Sequence, residues 1–282
     1  MVQTICVCGA GTMGSGIAQA AAQSGIYTLL FDLNKEVLQK AETSINANLD
    51  RLVSKQKITE EQRKSINGNL HYINDINFCI ADVIIEAIIE KPEAKISLFN
   101  QLAGINQGDP IFASNTSSLS ISLLQQSINK PQRLAGLHFF NPATIMKLVE
   151  VVRGEQTTQD VLDALVALSK QMNKVPVICR DSPGFIVNRV ARPYYIEALK
   201  LVEDGVADFA TIDAIMEASG FKMGPFKLMD LIGNDINYAV SCSVYDQLGQ
   251  PERLKPSPIQ KEKVGKGELG RKTNKGYYNY NG

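Results

Sequence analysis

The sequence predicts an α/β protein in two parts, a doubly wound parallel sheet followed by a smaller all-helical domain. Short β-forming runs alternate with helical stretches over the first 183 residues, the pattern of a sheet covered on both faces. A glycine-rich turn separates the first such run from the first helical stretch. Beyond Asp181-Ser182-Pro183-Gly184 the periodicity becomes helical, with almost no strand signal. The domains are therefore expected at 1–183 and 184–282.

Each element has a local reason. Thr4-Ile5-Cys6-Val7-Cys8 is a mostly apolar run with the β-formers Thr4, Ile5 and Val7. Residues 14–24 read as a helix stopped by Gly25, 27–31 as a second strand and 34–52 as a long helix. Strand-like runs follow at 83–87, 111–113, 134–139, 148–152 and 175–178, with helical runs between several of them. The second domain offers helices at 186–204, 209–218 and 226–248. The charged, glycine-rich stretch 261–275 reads as a surface segment.

Composition narrows the function. Lys plus Arg and Asp plus Glu balance at 29 each, so no global positive field draws the chain to nucleic acid or an anionic membrane. An anionic ligand therefore needs a local basic patch. No apolar run reaches the ~18–20 residues of a membrane span. No basic region and cleavage site precede the first strand, and a cytoplasmic protein is expected. The five cysteines lack metal-ligand spacing and only two histidines exist, so no metal is expected. Cys6 and Cys8 lie two apart in a strand, share a face, and read as small buried apolar residues.

The turn Gly9-Ala10-Gly11-Thr12-Met13-Gly14 follows a strand and opens a helix, the context of a Rossmann-type dinucleotide fingerprint. Gly9 permits the tight turn, Gly11 lets a pyrophosphate approach the backbone, and Gly14 lets helix and strand pack closely. Asp32 ends the second strand eighteen residues after Gly14. A carboxylate there accepts from ribose hydroxyls and repels a 2′-phosphate, which selects NAD over NADP.

Two strand ends are unusually polar. Ile111-Phe112-Ala113 leads into Ser114-Asn115-Thr116-Ser117-Ser118, and Leu134-Ala135-Gly136-Leu137 into His138-Phe139-Phe140-Asn141-Pro142. Glu150 lies inside the apolar run 147–152. Oxidising an alcohol needs a base near neutral pKa, a group that orients it, and a hydrogen-bond donor to the reacting oxygen. His138, Glu150 and Ser117 supply one of each. The same residues have structural roles open to them: a core histidine, a Glu150 pair with Lys147 or Arg153, and serine helix caps.

These stretches resemble the 3-hydroxyacyl-CoA dehydrogenases, specifically the stand-alone 3-hydroxybutyryl-CoA type. The likeness extends through Met146-Lys147-Leu148-Val149-Glu150-Val151, Asp181-Ser182-Pro183-Gly184-Phe185-Ile186-Val187-Asn188-Arg189 and Met223-Gly224-Pro225-Phe226. It spans nearly the whole chain, in the family's order, and the single-function form without a fused hydratase half is expected. The resemblance implies His138 as general base paired with Glu150, and Ser117 and Asn188 as substrate contacts. For NAD it points to Gly9, Gly11, Thr12, Met13, Gly14, Asp32, Glu90, Lys95, Asn115, Asn141 and Lys272. For CoA it points loosely to the basic stretch Arg51, Lys55 and Lys57, which equally reads as a solvated helix face. It also implies a homodimer through the helical domain.

One departure concerns substrate choice. Many short-chain members carry an apolar residue four positions after the asparagine, where this chain has Arg192. Residues i and i+4 share a helix face, so Arg192 could meet a distal carboxylate of the acyl chain. Asn188-Arg189-Val190-Ala191-Arg192-Pro193-Tyr194-Tyr195 and Leu228-Met229-Asp230-Leu231-Ile232-Gly233 also resemble the 3-hydroxyadipyl-CoA dehydrogenases of phenylacetate breakdown. Alternatively Arg192 pairs with Asp230, Asp235 or a partner subunit, and Pro193 perturbs the helix. Two other classes stand beside these: a dehydrogenase of free hydroxy acids, which needs no CoA patch, and a non-catalytic crystallin-like relative, which needs no Ser-His-Glu-Asn set.

Overall fold

The computed structural model describes residues 2–280. It divides into two compact units, residues 1–181 and 182–282.

The first unit runs β1 (Thr4–Cys8), α1 (Thr12–Gln23), β2 (Tyr27–Phe31), α2 (Lys35–Ser54), α3 (Glu60–Gly68), β3 (Leu70–Ile73), β4 (Val83–Glu86), α4 (Pro92–Ile105) and β5 (Ile111–Ser114). It continues through α5 (Ile121–Gln125), β6 (Leu134–Phe139), β7 (Leu148–Arg153), α6 (Gln159–Gln171) and β8 (Val175–Arg180). The strands form one sheet in the order β3-β2-β1-β4-β5-β6-β7-β8. Every neighbouring pair is parallel except β6 and β7. Strands β4, β5 and β6 bury every residue, as central parallel strands covered on both faces must. Ile5, Val7, Ile17, Leu30, Ile85 and Leu165 belong to the main core cluster. The predicted α/β class with a helical second part is the fold observed.

Helix starts follow sequence chemistry. Asn34 caps α2 by accepting from the Glu36 N–H at 2.9 Å. Thr59 and Gln62 form a capping box on α3. Helix α3 and strand β3 escaped the sequence reading for a physical reason. Among nine residues α3 buries only Ile66, and β3 is four residues long with polar His71 and Tyr72 inside it. Neither presents the regular apolar stripe on which such a reading depends.

The second unit contains α7 (Val187–Glu203), α8 (Phe209–Ala218), α9 (Pro225–Ile232), α10 (Asn234–Gln247) and α11 (Pro258–Gly265). Two expectations change here. The single helix expected at 226–248 breaks into α9 and α10 at Gly233, whose φ of 104° is open to glycine and rare for other residues. Helix α7 runs through Pro193 without interruption. The stretch 261–275 is largely exposed, as expected, and partly helical, and the chain after it is anchored. The Tyr277 and Tyr278 N–H groups donate to the two oxygens of buried Asp230 at 3.0 and 3.1 Å, and the Tyr280 hydroxyl donates to it at 3.0 Å. Gly276 sits so close that an added Cβ would lie 2.0 Å from Asp230 Oδ1. Tyr277 then packs with Phe209 and Phe226 in the unit's core. Among the described residues, no helix is long and apolar enough to cross a membrane.

Candidate active site

The glycine turn takes its shape from close packing. Gly9 has φ of 104°, and a Cβ there would lie 2.6 Å from the Ala87 carbonyl oxygen. A Cβ on Gly14 would lie 1.7 Å from Gly9 O, so helix α1 can begin this near β1 only with glycine. Gly11 instead faces open space, with nothing within 4 Å of an added Cβ. Gly11 is also the N-cap of α1 and makes no side-chain cap bond. The first-turn N–H groups of Thr12 and Met13 therefore suit an anionic phosphate. Asp32 lies beside this cradle, accepting from Ala10 N at 2.9 Å and Asn34 N at 2.9 Å. The open face at Gly11, the uncapped helix start and the adjacent carboxylate fit a dinucleotide.

The antiparallel step between β6 and β7 explains the histidine pair. In that register His138 stands directly opposite Glu150, and directly opposed side chains meet. His138 Nδ1 lies 2.7 Å from Glu150 Oε2, with the residues only 6% and 1% exposed. Glu150 thus pairs with His138 rather than with Lys147 or Arg153. The Phe140 ring covers His138 at 4.6 Å between centroids.

A second buried network shapes the Ser117 loop. Lys95 is 1% exposed, and its ammonium lies 2.5 Å from Glu86 and 3.1 Å from Glu90. Glu90 in turn accepts from the Thr116 hydroxyl, the Ser117 N–H and the Ser118 hydroxyl. Burial raises the Glu86 carboxyl above the usual range, with Lys95 offsetting it in part. Glu90 also meets desolvation, but Lys95 and the Thr116 hydroxyl hold its carboxyl below the usual range. Glu86 escaped the sequence reading because it ends a strand that looks wholly apolar. Asn115 bridges the ends of two strands, its N–H on Glu86 O and its Oδ1 accepting from Phe139 N.

A cleft of about 560 Å³ opens beside the glycine turn, lined by α1, α2 and the 141–144 loop. Lys40, Ser44, Asn48 and Arg51 line its α2 side, and Asn141 lines the far side. Lys40 was not singled out from the sequence, although these four recur at the spacing of one helix face. Lys55, at the C-cap of α2, and Lys57 are exposed beyond the cleft lining. Buried Lys174 holds the far loop by donating to the Ala143 and Met146 carbonyls. Burial lowers its pKa.

Three further residues from the sequence reading lie in the second unit. Asn188 is part-buried in the first turn of α7. Lys272 pairs with Asp235 at 2.6 Å. Arg192 is 3% exposed and turns toward α10, donating from Nε to Asn188 O and from one terminal nitrogen to Asn237 O and Ser241 Oγ, each at 2.9 Å. It stacks over Tyr195 at 4.9 Å. The expected pairing with Asp230 or Asp235 does not occur: Asp230 holds the tail and Asp235 holds Lys272. Among the described residues, no carboxylate lies within ion-pair distance of Arg192. Burial lowers its pKa to about 10, which leaves it cationic at neutral pH.

A phosphate cradle on β1 with a carboxylate at the end of β2 defines a Rossmann-type NAD-binding protein. Residues 4–182 match the 3-hydroxyacyl-CoA dehydrogenase NAD-binding domain, and residues 184–280 match the C-terminal domain of the same family. The chain belongs to the 3-hydroxyacyl-CoA dehydrogenase family. It is 46% identical to the 3-hydroxyadipyl-CoA dehydrogenase of Escherichia coli K12 over 99% of this chain and 59% of that protein. A crystal structure of 3-hydroxybutyryl-CoA dehydrogenase from E. coli K12 superposes with TM-score 0.96 at 45% identity, covering 100% of this chain and 60% of that one. The chain thus spans about six tenths of each of these two proteins. The (S)-3-hydroxybutyryl-CoA dehydrogenase from Ralstonia eutropha matches over the full length of both chains, with TM-score 0.95 and 37% identity.

Proposed function

We propose that this chain oxidises the 3-hydroxyl of a (3S)-3-hydroxyacyl-CoA, in the first place 3-hydroxybutyryl-CoA, to the 3-oxoacyl-CoA and catalyses the reverse reduction. The buried His138–Glu150 pair carries this reading. Nδ1 donates its proton to Glu150, which fixes the tautomer whose lone pair lies on Nε2. Nε2 takes the substrate's hydroxyl proton, and Glu150 stabilises the imidazolium that results. Ser117 hydrogen-bonds the reacting oxygen, and the 3-oxo group is polarised the same way in reverse; the family pattern makes Asn188 a substrate contact as well. Bound NAD supplies the hydride acceptor, held by the Gly9–Gly14 turn and Asp32, with Glu90, Lys95, Asn115, Asn141 and Lys272 completing its site. Lys95 acts by fixing Glu90, since its ammonium is enclosed between two carboxylates. The cleft of Lys40 and Arg51, with Lys55 beyond it, takes the phosphates of CoA. The helical unit joins two copies, consistent with its exposed Val190, Ile215, Leu231 and Ile236.

A second reading makes the substrate a dicarboxylic acyl-CoA such as 3-hydroxyadipyl-CoA. Two observations favour it: a buried guanidinium with no carboxylate beside it, and the name of the 46%-identical relative. Against it, three hydrogen bonds already tie Arg192 to its own unit.

NADH oxidation with acetoacetyl-CoA beside 3-oxoadipyl-CoA tests both readings. On the first, kcat/KM is larger for acetoacetyl-CoA, and Arg192→Leu lowers both rates alike. On the second, 3-oxoadipyl-CoA is preferred and Arg192→Leu reduces its kcat/KM selectively, by about 100-fold or more for an unpaired buried charge. Turnover of free 3-hydroxybutyrate as fast as its CoA thioester would refute both.

A further inference from the structure

We propose that Cys6, Cys8 and Cys79 form a binding site for one thiophilic monovalent cation, Cu(I), inside the nucleotide-binding unit. The pleat of β1 puts Cys6 and Cys8 on one face with their sulfurs 3.9 Å apart. Their neighbours across the sheet are Leu29 and Phe31 on β2, and Ile84 and Glu86 on β4. Cys79 comes from the turn after the short 3₁₀ segment Ile76–Phe78, and the Asn106 side chain holds its carbonyl at 2.9 Å. The three sulfurs lie within 4.8 Å of one another, and all three residues are fully buried. None of them has a part in the chemistry assigned to His138, Glu150 and Ser117.

Spacing and donor type agree on the ligand. Three sulfurs around one ion at about 2.3 Å stand about 4 Å apart. Cys6 and Cys8 already stand at that spacing, and the Cys79 sulfur lies within 4.8 Å of both. A disulfide would have to bring two of them to about 2 Å. The donors are all sulfur, and no imidazole or carboxylate joins the group. Structural zinc closes with four ligands, whereas Cu(I) favours soft thiolates in low coordination.

Hydrogen bonds from Cys6, then Cys8, lower the Cys79 thiol, while those two thiols are pushed up. Cu(I) binds as the sulfurs give up thiol protons to solvent. No electron is transferred. Phe78 and Ile80 on either side of Cys79 are 65% and 60% exposed, so the turn that closes the site lies at the surface.

The test uses the full chain with Cys179→Ser and Cys242→Ser, which removes the two part-exposed thiols. Cu(I) is offered anaerobically as its bicinchoninate complex. One ion should be withdrawn per chain, with thiol protons released to solvent. Copper X-ray absorption should show a sulfur-only shell at about 2.3 Å. Adding Cys79→Ala should weaken binding by about 100-fold or more. The proposal fails if no copper is withdrawn, if Cys79→Ala takes up as much, or if the shell contains nitrogen or oxygen. The absorption result needs no Cys79 variant, so poor folding of that variant leaves the proposal testable.

Discussion

His138 and Glu150 meet because β7 reverses against β6 and the register sets residue 138 opposite residue 150. The loop between the strands can vary, but a slip of one residue in the register would turn Glu150 to the other face. If His138 is the base, His138→Gln should lower kcat by about 10²- to 10⁴-fold. Glu150→Gln, close in size, should lower kcat by about 10²-fold while leaving KM for NADH and the melting temperature nearly unchanged. Steady-state kinetics beside thermal unfolding checks this, and a matching loss of stability would mark Glu150 as structural. At this scale the sequence was readable where residue type and local context suffice, as at Gly9, Gly11, Gly14, Asp32 and the His138 segment. It was not readable where the partner is distant in the chain. Glu86 meets Ser114 across 28 residues, and Cys79 reaches Cys6 from another turn altogether. Arg192 shows the same limit from the other side, since helical spacing named its face but not the α10 groups that engage it.

Among the elements, strongly amphipathic helices and apolar parallel strands were legible, and weakly patterned ones were not. Helix α2 and strand β6 have clear apolar faces, whereas α3 buries one side chain. The chain after α11 is largely exposed through residue 275, as its charge and glycine suggest, but what holds the residues beyond it was not legible. Their hold comes from one buried carboxylate, Asp230, which collects two backbone N–H groups, the Tyr280 hydroxyl and the Asn234 amide. Burial first, then its bond to Asp230, pushes the Tyr280 hydroxyl up to about 12. Replacing Asp230 leaves several buried donors unpaired, each costing about 1–3 kcal/mol. Asp230→Ala should therefore destabilise the helical unit by at least ~3 kcal/mol. Denaturant unfolding measures this, and limited proteolysis should cut first in the released tail. A change below ~1 kcal/mol would mean that the aromatic packing of Tyr277 holds the segment alone.

For the whole molecule, the equal numbers of acidic and basic side chains leave no long-range field to gather a polyanionic substrate. On the proposed assignment, attraction for the CoA phosphates comes from the α2 face, where Lys40 and Arg51 line the cleft and Lys55 lies just beyond. Such a local patch is screened over about 10 Å at 0.1 M salt. KM for acetoacetyl-CoA should therefore rise several-fold between 0.05 and 0.5 M salt, by about the Coulomb energy of two or three exposed pairs. Because His138 and Glu150 are buried, kcat should change little over the same range. The double variant Lys40→Gln/Arg51→Gln should start from a raised KM and show a flatter salt dependence, while KM for NADH stays close to that of the parent. Parallel slopes for parent and variant would move the phosphate contacts off this helix face and leave the cleft without a ligand role.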